Sequence, residues 1–357
     1  MNNVKDRPCD FCLTQNAKIR KEEEMTARTN VTIAQITKQD IPGAIDLVQR
    51  VFSPQEHFGF KRDRAWWKWK YESNVFGEPI IIGAKVDDKE IVGLRALWPW
   101  ELVHRGRLLK AYQSVETVVD SRYRGIGLFR RMNEAALDAS RNFCTDLIFN
   151  FPNKHSIGGY LRQGWVFLGK LEWSVKPLKP VKALFSLMSK TKFMPVDVPE
   201  KMKISRARFN ELPIQKNGTD LIHTSLSEEF LSWRYVNHPF FRYGMVNVSL
   251  SGESMAVIFS INESEYIREM IVTDLIGSPL CLKKAFDRLV QTAKSLDVDI
   301  IAAINERAYP IKKELWKYGF LPVKRKNFAA FALDPQIRSF ALDIRNWNLS
   351  GGMHDTL

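Results

Sequence analysis

The chain has 357 residues, 45% of them hydrophobic and 26% charged, with 53 Lys+Arg against 40 Asp+Glu and a formal net charge of +13. This composition excludes a disordered chain, and at about 150 residues per domain the length excludes one small domain and suits two, each able to bury a core. Apolar runs such as 80–82 and 147–151 fall far short of the roughly 20 residues that span a bilayer, and four cysteines are too few to staple a secreted chain of this size.

Residues 1–28 are polar, without periodicity and without the apolar core of a signal peptide, so a flexible tail, reduced thiols and a cytoplasmic address are expected. Cys9 and Cys12 offer half a zinc site, but four ligands are needed and no second pair follows; no metal is expected. Alternation over 31–36 predicts a strand, and Ala44, Leu47, Val48 and Val51 predict an amphipathic helix. After the aromatic stretch 66–71 come three predicted strands, 80–86, 91–103 and 108–119, joined by short polar turns that suit an antiparallel meander. A helix is predicted over 127–143 and a buried strand over 147–151.

Residues 177–200, with four prolines around a basic amphipathic stretch, read as a connector; basic plus apolar residues also permit weak membrane-surface association. The second half then repeats the first. Trp233, Arg234, Tyr235 and Phe240 match Trp69, Lys70, Tyr71 and Phe76, and strands are predicted at 243–250, 255–261 and 266–275, a helix at 280–296 and a strand at 298–304. The charge of +13 favours an anionic partner, yet basic residues form no run of five, so no nucleic acid is expected.

Chemistry is concentrated at the end of the fourth strand. Val118, Val119, Asp120, Ser121, Arg122, Tyr123, Arg124, Gly125, Ile126, Gly127, Leu128 and Phe129 read as strand, basic glycine-bearing turn and helix start. Glycines let backbone approach a ligand, and free amides at a helix N-terminus favour phosphate. A nucleotide P-loop needs GK[ST], and a dinucleotide fingerprint needs three glycines and a later acidic residue; neither fits.

The turn does fit R/Q-x-x-G-x-G/A, and the sequence here resembles the GNAT superfamily of acyl-CoA N-acyltransferases. A second stretch, Asn153 to Trp165, is similar to the family's N-x-x-A-x-x-x-Y-x-x-x-G-F, departing by Ser156 and Trp165. The resemblance implies an α+β fold of two tandem GNAT-like modules, each a mixed, mostly antiparallel sheet flanked by helices. The expected divisions are tail 1–28, coenzyme-binding domain 29–176, linker 177–200, degenerate domain 201–335 and C-terminal tail 336–357.

It further implies acetyl-CoA as cosubstrate, held by Val118, Val119, Arg122, Arg124, Gly125, Ile126, Gly127, Leu128, Phe129 and Asn153. Attack of an amine on a thioester needs a base, an oxyanion donor and an acid for the leaving thiolate. By the motif match Tyr160 is the acid. Glu116, which alternation places with Asp120 and opposite Thr117 and Val119, is the candidate base. The second half lacks the basic turn and has Leu315 where the tyrosine would fall.

The tandem plan and the ending Asn346 to Gly352 resemble bacterial GNAT proteins of polysaccharide and cell-envelope synthesis. An amino sugar, or another small-molecule or glycan amine, is therefore the expected acceptor. The competing readings are an aminoacyl or peptidyl transferase of cell-wall synthesis and a non-catalytic coenzyme A sensor.

Overall fold

Local sequence accounts for the first layer. Strand β1 (Val31–Gln35) leads to helix α1 (Ile41–Phe52), which buries Ala44, Leu47 and Val48 at the expected three- and four-residue spacing. Asp63 caps the short α2 (Arg64–Trp67), accepting from the Ala65 and Trp66 amides at 2.9 and 3.0 Å. The helix then widens to a π-turn over Lys68–Glu72. Strands β2 (Ile80–Val86), β3 (Glu90–His104) and β4 (Arg107–Val119) form the expected antiparallel meander. Helix α3 (Leu128–Asn142) follows, then β5 (Leu147–Asn150), parallel to β4, and the short α4 (Ile157–Leu161).

Strand β6 (Val166–Pro177), α5 (Pro180–Ser186) and β7 (Met194–Val196) cross the stretch read as a connector, and β8 (His223–Thr224) adds two residues to the edge of β3. The order of elements then recurs. Helix α6 (Glu228–Leu231) widens to a second π-turn, Ser232–Val236. Strands β9 (Tyr243–Leu250), β10 (Glu253–Glu263) and β11 (Arg268–Gly277) are antiparallel, and α7 (Leu282–Ser295) precedes β12 (Ile300–Ile304), parallel to β11. Strand β13 (Leu321–Ala332) and the short α8 (Arg338–Ala341) close the chain's regular structure.

The computed structural model describes residues 30–52, 61–186, 192–214, 220–307 and 315–354. The tail 1–28 with Cys9 and Cys12 lies outside them. Among the described residues no helix is long and apolar enough to cross a membrane.

All strands join one sheet, ordered β1-β2-β3-β4-β5-β13-β6-β12-β11-β10-β7 along its main path. Strand β13 sits between β5 and β6, so the last strand of the second half completes the first half, while β6 pairs with β12. Neither exchange is readable from local pattern, because pairing partners are chosen by distant packing.

One face of this sheet carries a single core through both halves, including Trp98 of β3, Phe149 of β5, Phe328 of β13 and Ile258 of β10. The opposite face carries two separate cores, one under α3 and one under α7. At the centre of the shared core the two π-turns meet. Trp69 and Trp233 stack with centroids 5.4 Å apart, and each indole N–H donates to the other's carbonyl at 2.8 Å. The matched W-K/R-Y segments thus form a reciprocal contact. The stretch 336–354, expected as part of a tail, is instead packed, with Trp347 and Met353 fully buried. Trp347 lies against Phe149 and Phe328.

Candidate active site

Strands β4 and β5 pair only over Ala111–Leu147, Tyr112–Ile148 and Gln113–Phe149. Beyond Gln113, β4 runs on to Val119 with no strand on that edge among the described residues, so the sheet opens into a V. Gln113 stands at its vertex, almost wholly buried, and its Oε1 has no hydrogen-bond partner. A buried amide left unpaired is costly unless a ligand or water completes it.

A bulge shapes the wall of the V. On β3 Leu94 faces Val118 and Ala96 faces Val115, so Arg95 alone opposes both Glu116 and Thr117. Glu116 takes φ +34°, a left-handed conformation uncommon for a side chain of this kind. As alternation predicted, Glu116 and Thr117 face opposite ways.

Glu116 points into the shared core, where Lys70 Nζ donates to it at 2.7 Å, Tyr71 Oη donates to its other oxygen, and Arg62 Nε lies 3.9 Å away. Its partners come from the π-turn and its approach, not from an arginine on a neighbouring strand. The candidate base therefore has both oxygens occupied. Val118 is buried in the same core.

Thr117 points the other way, into a polar cluster beneath α3. There Arg95 donates to Thr117 Oγ1 at 2.6 Å, Tyr160 Oη at 2.5 Å, Asn133 Oδ1 at 2.8 Å and Ser114 Oγ. Tyr160 Oη also lies 2.9 Å from Ser114 Oγ and 3.1 Å from Thr117 Oγ1. The tyrosine singled out from sequence is thus buried against β4 at the level of the bulge. Gly159 has a packing reason: a Cβ there would come within 2.7 Å of Phe129 in the first turn of α3.

The glycine turn closes the V. Asp120 accepts from the Arg122 amide at 3.0 Å and from its Nε and Nη2 at 3.1 and 2.9 Å, and Arg50 joins at 3.1 Å. The Arg122 guanidinium holds the Asp120 carboxyl well down, to about 2, with Arg50 adding to the effect. Arg122 also reaches Glu90 at 2.6 Å. Its guanidinium, 58% exposed, thus braces the turn through two carboxylates. Arg124 bends back to the Val119 carbonyl at 3.2 Å through Nε and stays exposed.

Gly125 and Gly127 have φ +85° and +79°, which explains their type, and a Cβ on either would meet nothing within 4 Å. The amides of Gly125, Ile126 and Gly127 donate to no acceptor among the described residues. With the first free amides of α3 at Leu128 and Phe129 they form an open row at a helix N-terminus. Asn153 precedes α4. Its Oδ1 accepts from the His155 and Ser156 amides at 2.9 and 3.0 Å, so it caps the turn into α4.

Residues 32–168 match the family model described as Acetyltransferase (GNAT) domain. The chain carries a GNAT domain. No curated protein sequence matches it. Among solved structures, a GCN5-related N-acetyltransferase from Anabaena variabilis is 11% identical over 88% of this chain and 75% of its own, with TM-score 0.60. N-myristoyltransferase from Saccharomyces cerevisiae with bound myristoyl-CoA is 12% identical over 85% and 82%, with TM-score 0.58. A GCN5-related N-acetyltransferase from Kribbella flavida is 16% identical over 88% and 73%, with TM-score 0.52. These likenesses extend past the GNAT domain and establish the fold.

The matching opening in the second half is filled. Pairing of β11 with β12 ends at Ile271–Ala302. The C-terminal segment lies along β11 from there: a Cβ at Gly351 would be 2.9 Å from the Thr273 carbonyl, and one at Gly352 would strike Asp274 and Tyr235. Arg234 Nε and Nη2 hold the Gly352 and His354 carbonyls at 3.0 and 3.1 Å.

Sequence reasoning overlooked Arg95, Ser114 and Thr117 around Tyr160. The one available signal was a lone arginine in the otherwise apolar run 91–100 of β3.

Proposed function

We propose that this protein is an acetyl-CoA-dependent N-acetyltransferase working through its GNAT domain. The observation that carries the reading is the V between β4 and β5, closed at one end by unpaired amides at Gly125–Gly127 and lined by an orphaned Gln113. Such amides suit a diphosphate, and the unpaired edge of β4 suits an extended amide-bearing arm and a carbonyl oxygen that becomes an oxyanion. Val119, Arg124, Leu128 and Phe129 belong to this proposed coenzyme surface. Arg122 and Asn153 act there by fixing the turns.

Tyr160 is the proposed acid for the thiolate. Glu116, with Lys70 and Tyr71 on its oxygens, holds the bulge in place and is a poorer base than its position in sequence implies. The recurrence of elements after residue 227 and the reciprocal Trp69–Trp233 contact support a tandem plan in which the second module has given up coenzyme binding to its own C-terminal segment. The acceptor, by the looser resemblance to envelope-associated proteins, is an amino sugar or related amine in the cytoplasm.

Calorimetry with coenzyme A and acetyl-CoA, followed by thiol release with a panel of amines, tests this. Saturable binding and amine-dependent release are expected. No heat from either coenzyme would remove the proposal, and binding without release for any amine would favour a sensor.

A further inference from the structure

Arg95 is a buried guanidinium, 1% exposed, and no carboxylate pairs with it among the described residues. Its acceptors are all neutral: Ser114 Oγ, Thr117 Oγ1, Tyr160 Oη and Asn133 Oδ1, while its Nε has no partner. The Tyr160 and Trp165 rings stand 5.1 and 6.0 Å from its carbon centre. Asn133 is in turn fixed by Gln163, to which its amide donates at 2.7 Å. The other buried cations of the domain among the described residues each have a carboxylate within 4 Å, Glu116 for Arg62 and Lys70 and Asp40 for Lys85. A desolvated charge without a counter-charge is expensive to keep, and its expense is recovered where negative charge forms beside it.

We propose that Arg95 is the positioning residue for Tyr160, supplying the positive charge against which the tyrosine gives up its proton to the leaving thiolate. This rests on Tyr160 being the acid. The guanidinium donates to Tyr160 Oη, so it takes one lone pair and directs the phenolic proton away from itself. Ser114 and Thr117 bracket the same oxygen from two points of β4, fixing it at the bulge where the V opens.

In the step, the amine nitrogen bonds to the thioester carbon, the carbon–sulfur bond breaks with its electron pair on sulfur, and the Tyr160 proton passes to that sulfur. The phenolate left behind lies 2.5 Å from Arg95 Nη1. It is reprotonated by the proton that the acceptor ammonium releases, so amine and thioester give amide and thiol with nothing left over.

The test compares acetyl-CoA with its selenoester analogue, the same size but with a leaving group that departs without protonation. Tyr160→Phe and Arg95→Gln are each expected to lower kcat with acetyl-CoA about tenfold or more, and to recover most of that loss with the selenoester. Arg95→Lys, which keeps the charge, should retain the wild-type ratio between donors. Equal loss on both donors in Arg95→Gln, or no loss, overturns the role of Arg95 alone. Should Arg95→Gln not fold, a donor ratio in Arg95→Lys matching that of Tyr160→Phe overturns it instead. A Tyr160→Phe enzyme with no donor-dependent loss removes both this inference and the acid assignment beneath it.

Discussion

Removing the Lys70 ammonium would expose how the bulge on β4 is held. Lys70→Met keeps most of the side-chain volume and leaves Glu116, whose side chain is 2% exposed, without its 2.7 Å partner. Breaking a buried pair by deleting one member costs about 3–5 kcal/mol, because the surviving charge stays desolvated. Arg62 at 3.9 Å and the Tyr71 hydroxyl soften this, so about 3 kcal/mol is expected. Replacing both groups, in Lys70→Met with Glu116→Gln, removes the stranded charge and should cost about 1 kcal/mol, less than either single change. Urea unfolding of the four proteins in a double-mutant cycle measures this directly. A Lys70→Met cost below about 1 kcal/mol, or a double variant as weak as the sum of the singles, would refute the reasoning. Activity gives a second readout. Glu116→Gln should keep the pH profile of kcat, and loss of the acidic limb would restore Glu116 as the base.

Three further outcomes follow from particular contacts. Burial pushes the Asp274 carboxyl up to about 7, so the folded state holds a proton that the unfolded chain releases near pH 4, and stability is lost as pH rises from about 4 through 7. Asp274→Asn should therefore flatten Tm against pH over that window and raise Tm at pH 8, with buried Glu306, raised for the same reason, keeping part of the slope; an unchanged slope would count against the burial argument. Gly127→Ala forces a Cβ onto φ +79° at a strain of about 1–2 kcal/mol, and calorimetry should show weaker coenzyme A binding with a lower Tm; unaltered affinity would argue against contact at this turn. Trp69→Phe and Trp233→Phe each delete one of the paired indole bonds and strand a buried carbonyl, costing about 1–3 kcal/mol. The two losses should agree within a factor of two in urea unfolding, and a large inequality would contradict the reciprocal contact.

The sequence by itself determined the local elements. Three- and four-residue spacing marked α1 and α3, alternation marked β1, short polar turns marked the first meander, and glycine chemistry marked the turn at 125–127, because each of these depends on residues a few positions apart; the recurrence of this order marked α7. The sequence also showed the W-K/R-Y repeat, and the resemblance of residues 153–165 to the GNAT motif singled out Tyr160. Tertiary structure alone decided what those residues touch. The bulge at Glu116 turns on one extra residue opposite Arg95, the pairing of β13 joins it to residues 179–185 positions away in β5 and 146–164 away in β6, and Arg122 meets Glu90 only because the turn folds back on β3. Charges chosen by partners distant in the chain carry no periodic signal, so a buried Lys70–Glu116 pair and an uncompensated Arg95 look alike in sequence and opposite in space.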